Sequence, residues 1–351
     1  MRIRRRLPVI FAVLLVIAAV ALVVFLRKHA PPEPARLLPS ADGFFYVNLE
    51  LIRLANIAGK LPEVAHDPEY EQFIQATGFQ FERDLDKAAF AIHYPSNPDP
   101  AKPGSDEVRY SEVLVGKFDG DRLRDYLRKL SSSIESYGPT DIYTIPLEGR
   151  TLRVAILGVN TVAASNHSDP LVIQGIIDRS RKLASPFGGP ALLRQYYKHV
   201  PLASLGWFIF RVSPELNGTS HVPASPINLS FLFPKPTVVV ASVRYLGAVH
   251  LRAEAFTGSK DDAIHATDQL KTYLTLFNSA EISVSGRGPD PDVKEFFGSL
   301  KVEQDSDRTV LTAIVPSGFI RKAVADAPNA VSTPAPLQPA RKAVAPAKSG
   351  P

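Results

Sequence analysis

The chain has 351 residues, 45% of them hydrophobic and 21% charged, with a formal net charge of +5 and a pI near 9.2. It contains no cysteine, which excludes disulfides, thiolate metal sites and a cysteine nucleophile. Much of the basic excess lies in residues 2–6, at Arg27 and Lys28, and at Arg341, Lys342 and Lys348; the remainder is mixed in sign, so nucleic acid is not expected as a partner.

Residues 8–26 (PVIFAVLLVIAAVALVVFL) carry no charge, amide, hydroxyl or sulfur. As a helix rising 1.5 Å per residue, this run reaches roughly 28 Å, close to the apolar thickness of a bilayer. A cleaved signal peptide has a shorter apolar core and a small-x-small exit, and the exits here are poor: Ala30 is preceded by Lys28 and followed by Pro31. A buried core helix of this length usually shows a polar stripe, and this one has none. An uncleaved transmembrane helix is therefore the expectation, with the bilayer as a partner. Arg2, Arg4, Arg5 and Arg6 precede the run and only Arg27 and Lys28 follow closely, so the basic leader 1–7 is expected inside. The remaining chain is then expected on the extracytoplasmic side of the cytoplasmic (inner) membrane.

Beyond the span, residues 27–39 form a Pro-rich stalk. The segment 43–49 (GFFYVNL) is aromatic and β-branched, and predicts a strand followed by a helix over 50–60. Asp67-Pro68 opens another helix, with Asp as cap and Pro in the first turn. The same dipeptide recurs at Asp169-Pro170 and Asp290-Pro291. Strands are expected at 88–94, 108–118, 142–147, 152–157 and 161–165, several too continuously apolar to leave one face in water. The prolines at 95, 98, 100 and 103 mark an exposed excursion between the first two.

In the second half, 205–212 (LGWFIFRV) resembles the opening strand, and 237–245 with 248–256 reads as a hairpin about Gly247. Ser259 and Asp262 approach a capping box for a helix over 259–277. A hairpin at 301–304 and 309–315 and a short helix at 317–324 follow. Residues 326–351, rich in Ala and Pro, lack periodic apolar positions and are expected to be disordered. Both halves run from an aromatic strand through a strand pair to a Phe-x-Gly turn (Phe118, Phe256) and an amphipathic helix.

The fold expected is α+β: an N-terminal transmembrane helix followed by one or two strand–helix modules with mixed or antiparallel sheet, with an internal duplication as one reading. The expected divisions are the leader 1–7, the span 8–26, the stalk 27–39, modules at 40–185 and 186–325, and the tail 326–351.

Chemical motifs are scarce. Asp305-Ser-Asp307-Arg-Thr309 has the DxDxT form of a phosphatase, but no buried strand precedes it, and a polar hairpin turn explains it better. Ser165, His167 and Asp169 alternate along one strand-to-helix turn, whereas a catalytic triad converges from separate elements. His93 and His250 fall singly in strands, and no histidine pair has helical metal spacing. Arg122, Arg124, Arg128 and Lys129 are expected on a solvated helix face, Trp207 in the core, and Asn166, Asn217 and Asn228 head N-x-S/T sequons. No catalytic, cofactor-binding or metal-ligating residue is assigned, and no cofactor is expected.

The segments LLPSADGFFYVNLELI, VGKFDGDRLRDYL, SYGPTDIYTIP, AASNHSDPLVIQGIID and FTGSKDDAIHATDQL together resemble bacterial single-pass membrane-anchored envelope proteins of the domain-of-unknown-function type. That resemblance implies an extracytoplasmic α+β body and transfers no catalytic residue. The function expected is a binding or structural component of the cell envelope, contacting an envelope protein or wall component. Two alternatives stand beside it: a tethered hydrolase whose site forms only in three dimensions, and an accessory subunit that assembles through the small residues Ala18, Ala19 and Ala21.

Overall fold

The computed structural model describes residues 30–55, 66–95, 107–147, 150–181, 188–212, 232–284 and 291–318. The chain starts with a short helix α1 (Glu33–Leu37) and strand β1 (Gly43–Asn48). Helices α2 (Leu49–Ala55), α3 (Pro68–Thr77) and α4 (Phe81–Asp84) lead to β2 (Leu85–His93) and β3 (Arg109–Gly116). Helix α5 (Gly120–Leu130) precedes the meander β4 (Ser133–Tyr137), β5 (Thr140–Leu147), β6 (Arg150–Ile156) and β7 (Thr161–Ser165). Helices α6 (Leu171–Arg181) and α7 (Ala191–Tyr196) and a 3₁₀ turn (Tyr197–His199) lead to β8 (Gly206–Val212), β9 (Thr237–Tyr245) and β10 (Val249–Phe256). The long helix α8 (Lys260–Val284), α9 (Pro291–Ser299) and the hairpin β11 (Lys301–Asp305) and β12 (Arg308–Val315) complete the described residues.

All twelve strands form one sheet in the order β11-β12-β10-β9-β8-β1-β2-β3-β7-β6-β5-β4, antiparallel at every pairing. This corrects the expected fold class of one or two modules with mixed or antiparallel sheet. The physical reason lies at the seam. The two aromatic strands that look alike in sequence, β1 and β8, are partners. Gly43 faces Phe210, Phe45 faces Phe208, and Gly206 faces Val47, so each strand's glycine admits a bulky residue of the other. Tyr46 and Trp207 stack across this seam with ring centroids 5.4 Å apart. From the seam outward the flanks share a connectivity: three adjacent strands, then one helix (α5) or two (α8 and α9), then a run of strands (β4–β7 or β11–β12) whose last returns beside the third (β3 beside β7, β10 beside β12).

Among the described residues, no helix is long and apolar enough to cross a membrane. Residues 8–26 lie outside the described residues, as do 319–351 and therefore the tail and most of the expected helix over 317–324.

Local chemistry accounts for the element ends. The Asp67 carboxylate accepts from the Tyr70 amide at 2.7 Å and opens α3, which ends at Gly78 in the left-handed region (φ 74°). The Asp262 amide donates to Ser259 Oγ at 3.2 Å, which caps α8, and the Ser259 hydroxyl donates to the Asp262 carboxylate at 2.8 Å, so the reciprocal bond of a full capping box is replaced by a side-chain one. Gly138 (φ 61°) takes the first central position of the two-residue turn joining β4 to β5, where a primed turn requires positive φ.

The sheet has two unlike faces. On one, which we call the Phe44 face, α1, α6 and α7 cover a continuous core of Leu38, Phe44, Tyr46, Val113, Ile176, Leu193, Trp207 and Ile209. On the opposite Phe45 face the helices stand apart. Helix α5 covers β5–β7 through Leu123 and Leu127, and residues around α4 cover one end of β2 through Phe79 and Leu85. On the other flank Ala266 of α8 packs against Phe210, Val212, Val239 and Ala255.

Candidate functional site

Side chains alternate between faces along a strand, so the central strands report directly how each face is used. On β1, Phe44 and Tyr46 are 1% and 4% exposed, whereas Phe45 between them is 40% exposed. On β3, Ser111 and Val113 are fully buried, whereas Tyr110 is 41% exposed. Phe90 on β2 and Phe208 on β8 are half-buried on that same open face. The middle of the sheet thus keeps one face for the core and leaves an aromatic strip on the other, between the α4–α5 cover and the α8 cover.

Register fixes how the strip is laid out. Phe208 faces Phe45, Phe45 faces Phe90, Phe90 faces Glu112, and Glu112 faces Ala164. At about 4.8 Å per strand, the row from Phe208 to Glu112 spans roughly 14 Å. The Phe45 and Phe90 rings lie 5.9 Å apart and tilted, and Phe208 continues the aromatic surface toward Phe210 at 5.3 Å.

Glu112 closes the row. It is half-buried between Phe90 and Ala164, with Tyr110 and Leu114 before and after it on the same face. Burial alone pushes its carboxyl above the ordinary carboxylate range. Among the described residues it has neither a hydrogen-bond nor an ion-pair partner. A carboxyl left alone in an apolar surface destabilises its ionised form and is poised to gain from an incoming cation.

Two polar clusters lie on the Phe44 face. His93 Nε2 is 3.1 Å from Ser111 Oγ, Ser111 Oγ is 2.9 Å from Ser165 Oγ, and the His167 ring meets His93 edge-on at 5.1 Å. Burial, then the neighbouring His167, lowers the His93 pKa to about 4. The pair has the contact distance of a nucleophile and its base. Ser111, however, is 0% exposed, so the hydroxyl meets no solvent-borne substrate in this conformation. The second cluster centres on buried Glu254, which accepts from Arg308 at 3.0 Å and Arg252 at 2.8 Å, with His199 at 3.5 Å. Arg308 also pairs with Asp305 and lies 5.8 Å over the Phe256 ring. All three guanidinium nitrogens of Arg308 have partners, and the cluster ties β10, β12 and the 3₁₀ turn together.

The motifs singled out in the sequence resolve individually. Ser306 and Asp307 form the turn between β11 and β12, with Ser306 at φ 58°, so the DxDxT residues sit in a polar hairpin. Ser165, His167 and Asp169 make local bonds: the His167 amide donates to Ser165 Oγ, the Asp169 amide to His167 Nδ1, and the Leu171 amide to Asp169 at the start of α6. His93, read as a lone strand histidine, is brought to Ser111 and His167. Arg122, read as solvated, donates to the carbonyls of Ala76 and Gln75 at 3.1 and 2.6 Å and caps the end of α3. Trp207 is 2% exposed in the core. Asn166 accepts from the Tyr110 amide at 2.6 Å, and Asn217 and Asn228 lie outside the described residues.

Glu112 was passed over in sequence. The available signal was a single acid replacing an apolar residue on one face of the alternating strand RYSEVLVG. Among the described residues, no group of three or more His, Asp or Glu is arranged to hold a metal. A cavity of about 10 Å³ lined by Phe233, Lys235, Thr257, Asp262 and His265 has room for roughly one water.

No protein-family model matches the chain, and no curated protein matches it. Among solved structures, crystal form I of TP0453 aligns with a TM-score of 0.44 and 10% identity, covering 84% of this chain and 98% of that one. Crystal form IV of TP0453 aligns with a TM-score of 0.41 and 9% identity, covering 84% and 97%. Likeness at this level carries no inference about activity.

Proposed function

We propose that this protein is a binding component of the cell envelope, held at the inner membrane by its uncharged run 8–26 with the body on the extracytoplasmic side, and that the open aromatic strip of β8-β1-β2-β3 is its binding surface. The observation that carries the reading is the contrast within one strand: Phe44 at 1% and Phe45 at 40% exposure. Aromatic side chains set side by side on an open sheet face gain stability only when something covers them. The location draws its support from the composition of residues 8–26 and the cations flanking them.

The test has two arms. Fractionation of the source cells should leave the full chain in the membrane after alkaline washing, and protease added to spheroplasts should degrade the body; a washed-off or protected body contradicts the location. The folded protein should also bind an apolar fluorescent probe, and Phe45→Ala and Phe208→Ala should each weaken that binding several-fold. Unchanged binding in both variants contradicts the choice of surface.

A tethered hydrolase is the second reading, favoured by the 3.1 Å His93–Ser111 contact and opposed by the burial of that serine. Hydrolysis of a chromogenic ester that is lost in Ser111→Ala would favour it.

A further inference from the structure

The row Phe208–Phe45–Phe90–Glu112 has a chemical direction. Three rings supply apolar surface, and the fourth position supplies one carboxyl with no partner among the described residues. We propose that this row is a site for a small amphiphile carrying a single cationic amine, its apolar body lying across the strands on the three rings and its ammonium against Glu112. The proposal rests on the binding reading above and names its ligand class.

Charge complementarity selects the head group. An ammonium beside Glu112 gains a charge-assisted hydrogen bond and the negative faces of nearby rings, including Phe90 directly opposite. An anionic head would meet the carboxyl itself. No described residue sets a cation beside the Glu112 carboxyl, and burial alone raises its pKa.

The surroundings favour a small molecule over a peptide strand. The backbone of these four strands is committed to ladder pairing on both sides, so it has no row of amides to offer an added strand. The row offers one polar group, enough for one head. Beside Phe45, Gly43 carries no side chain, and the next residue across that row, Phe210, is 9% exposed under the α8 flank. The strip is therefore bounded on that side, while Tyr110 stands at the Glu112 end.

The test compares three soluble phenylalkyl probes, 4-phenylbutylamine and 4-phenylbutanol with the same four-methylene body and 4-phenylbutyrate with three methylenes. Each is titrated by calorimetry into the full chain held in phosphatidylcholine nanodiscs, with empty nanodiscs as the blank. The amine should bind about tenfold more tightly than the alcohol, the scale of one charge-assisted contact, and the butyrate should bind most weakly. Glu112→Gln, which removes the charge and keeps the shape, should bring the amine down to the level of the alcohol. Phe45→Ala should weaken amine and alcohol alike, and gives a second reading if Glu112→Gln fails to fold. Equal binding of amine and alcohol by the wild type, or an amine preference that survives Glu112→Gln, overturns the proposal and leaves the apolar surface standing. Binding of none of the three overturns the surface assignment as well.

Discussion

Single residues on the Phe44 face set a pH dependence that can be given a sign. The folded pKa of His93 is lowered to about 4 from an ordinary 6.5, first by burial and second by His167. The unfolded chain therefore takes up its proton first as pH falls. The contribution of His93 to stability is complete above about pH 6.5, declines between 6.5 and 4, and levels off below that window. A fall from 6.5 to about 4 corresponds to a loss on the order of 3 kcal/mol. Denaturant unfolding at several pH values should show the wild type losing that much more than His93→Gln between pH 7 and pH 4; identical slopes would contradict the buried neutral imidazole. The sequence shows His93 in a strand but not its neighbours, because Ser111 and Ser165 reach it only through the registers β2–β3 and β3–β7. Alternation places each of these residues on a face, and only the pairing makes them adjacent.

At the level of the elements, backbone contacts decide which glycines matter. A Cβ at Gly116, the end of β3, would lie 2.5 Å from the Asp84 carbonyl oxygen and 3.2 Å from the Phe79 ring, and the Asp84 oxygen already accepts from the Lys117 amide. The first of these obstacles is backbone and cannot swing aside. Gly116→Ala should therefore lower stability by about 2 kcal/mol, within the usual range for overpacking. At Gly120, in the first turn of α5, a Cβ would make only ordinary contacts at 3.5 Å and beyond with the Arg124 side chain. Gly120→Ala should be neutral or stabilising by about 0.5 kcal/mol, because it restricts the unfolded chain. Urea midpoints for the two variants check both values, and equal effects would contradict the tight approach of β3 to α4.

Most elements were legible for local reasons. Asp67, Ser259 and Asp169 act as start signals, and the strands expected at 161–165 and 237–245 coincide with β7 and β9. Strand β4 was missed because SIESY has four exposed residues and little apolar alternation; the Gly138 turn and its pairing with β5 hold it in the sheet.

For the molecule as a whole, the decisive pairing joins strands far apart in sequence. The likeness of GFFYVN and GWFIFRV suggested the opening strands of separate modules, and the structure pairs them edge to edge at the centre of one sheet. Local propensity cannot distinguish these outcomes, since an aromatic strand with a leading glycine suits either. The open strip follows from the same pairing: β1 and β8 bring Phe45 and Phe208 together on a face where the helical covers of the two flanks do not meet. The central claim is that Phe44 builds the core and Phe45 serves as contact surface. It is tested most directly by the urea unfolding midpoints of Phe44→Ala and Phe45→Ala, measured side by side without ligand. Truncating the fully buried ring should remove about 3–5 kcal/mol, whereas truncating its open neighbour should remove about 1 kcal/mol or less. Comparable losses from the two substitutions would make Phe45 a core residue and contradict the assignment of that face to binding.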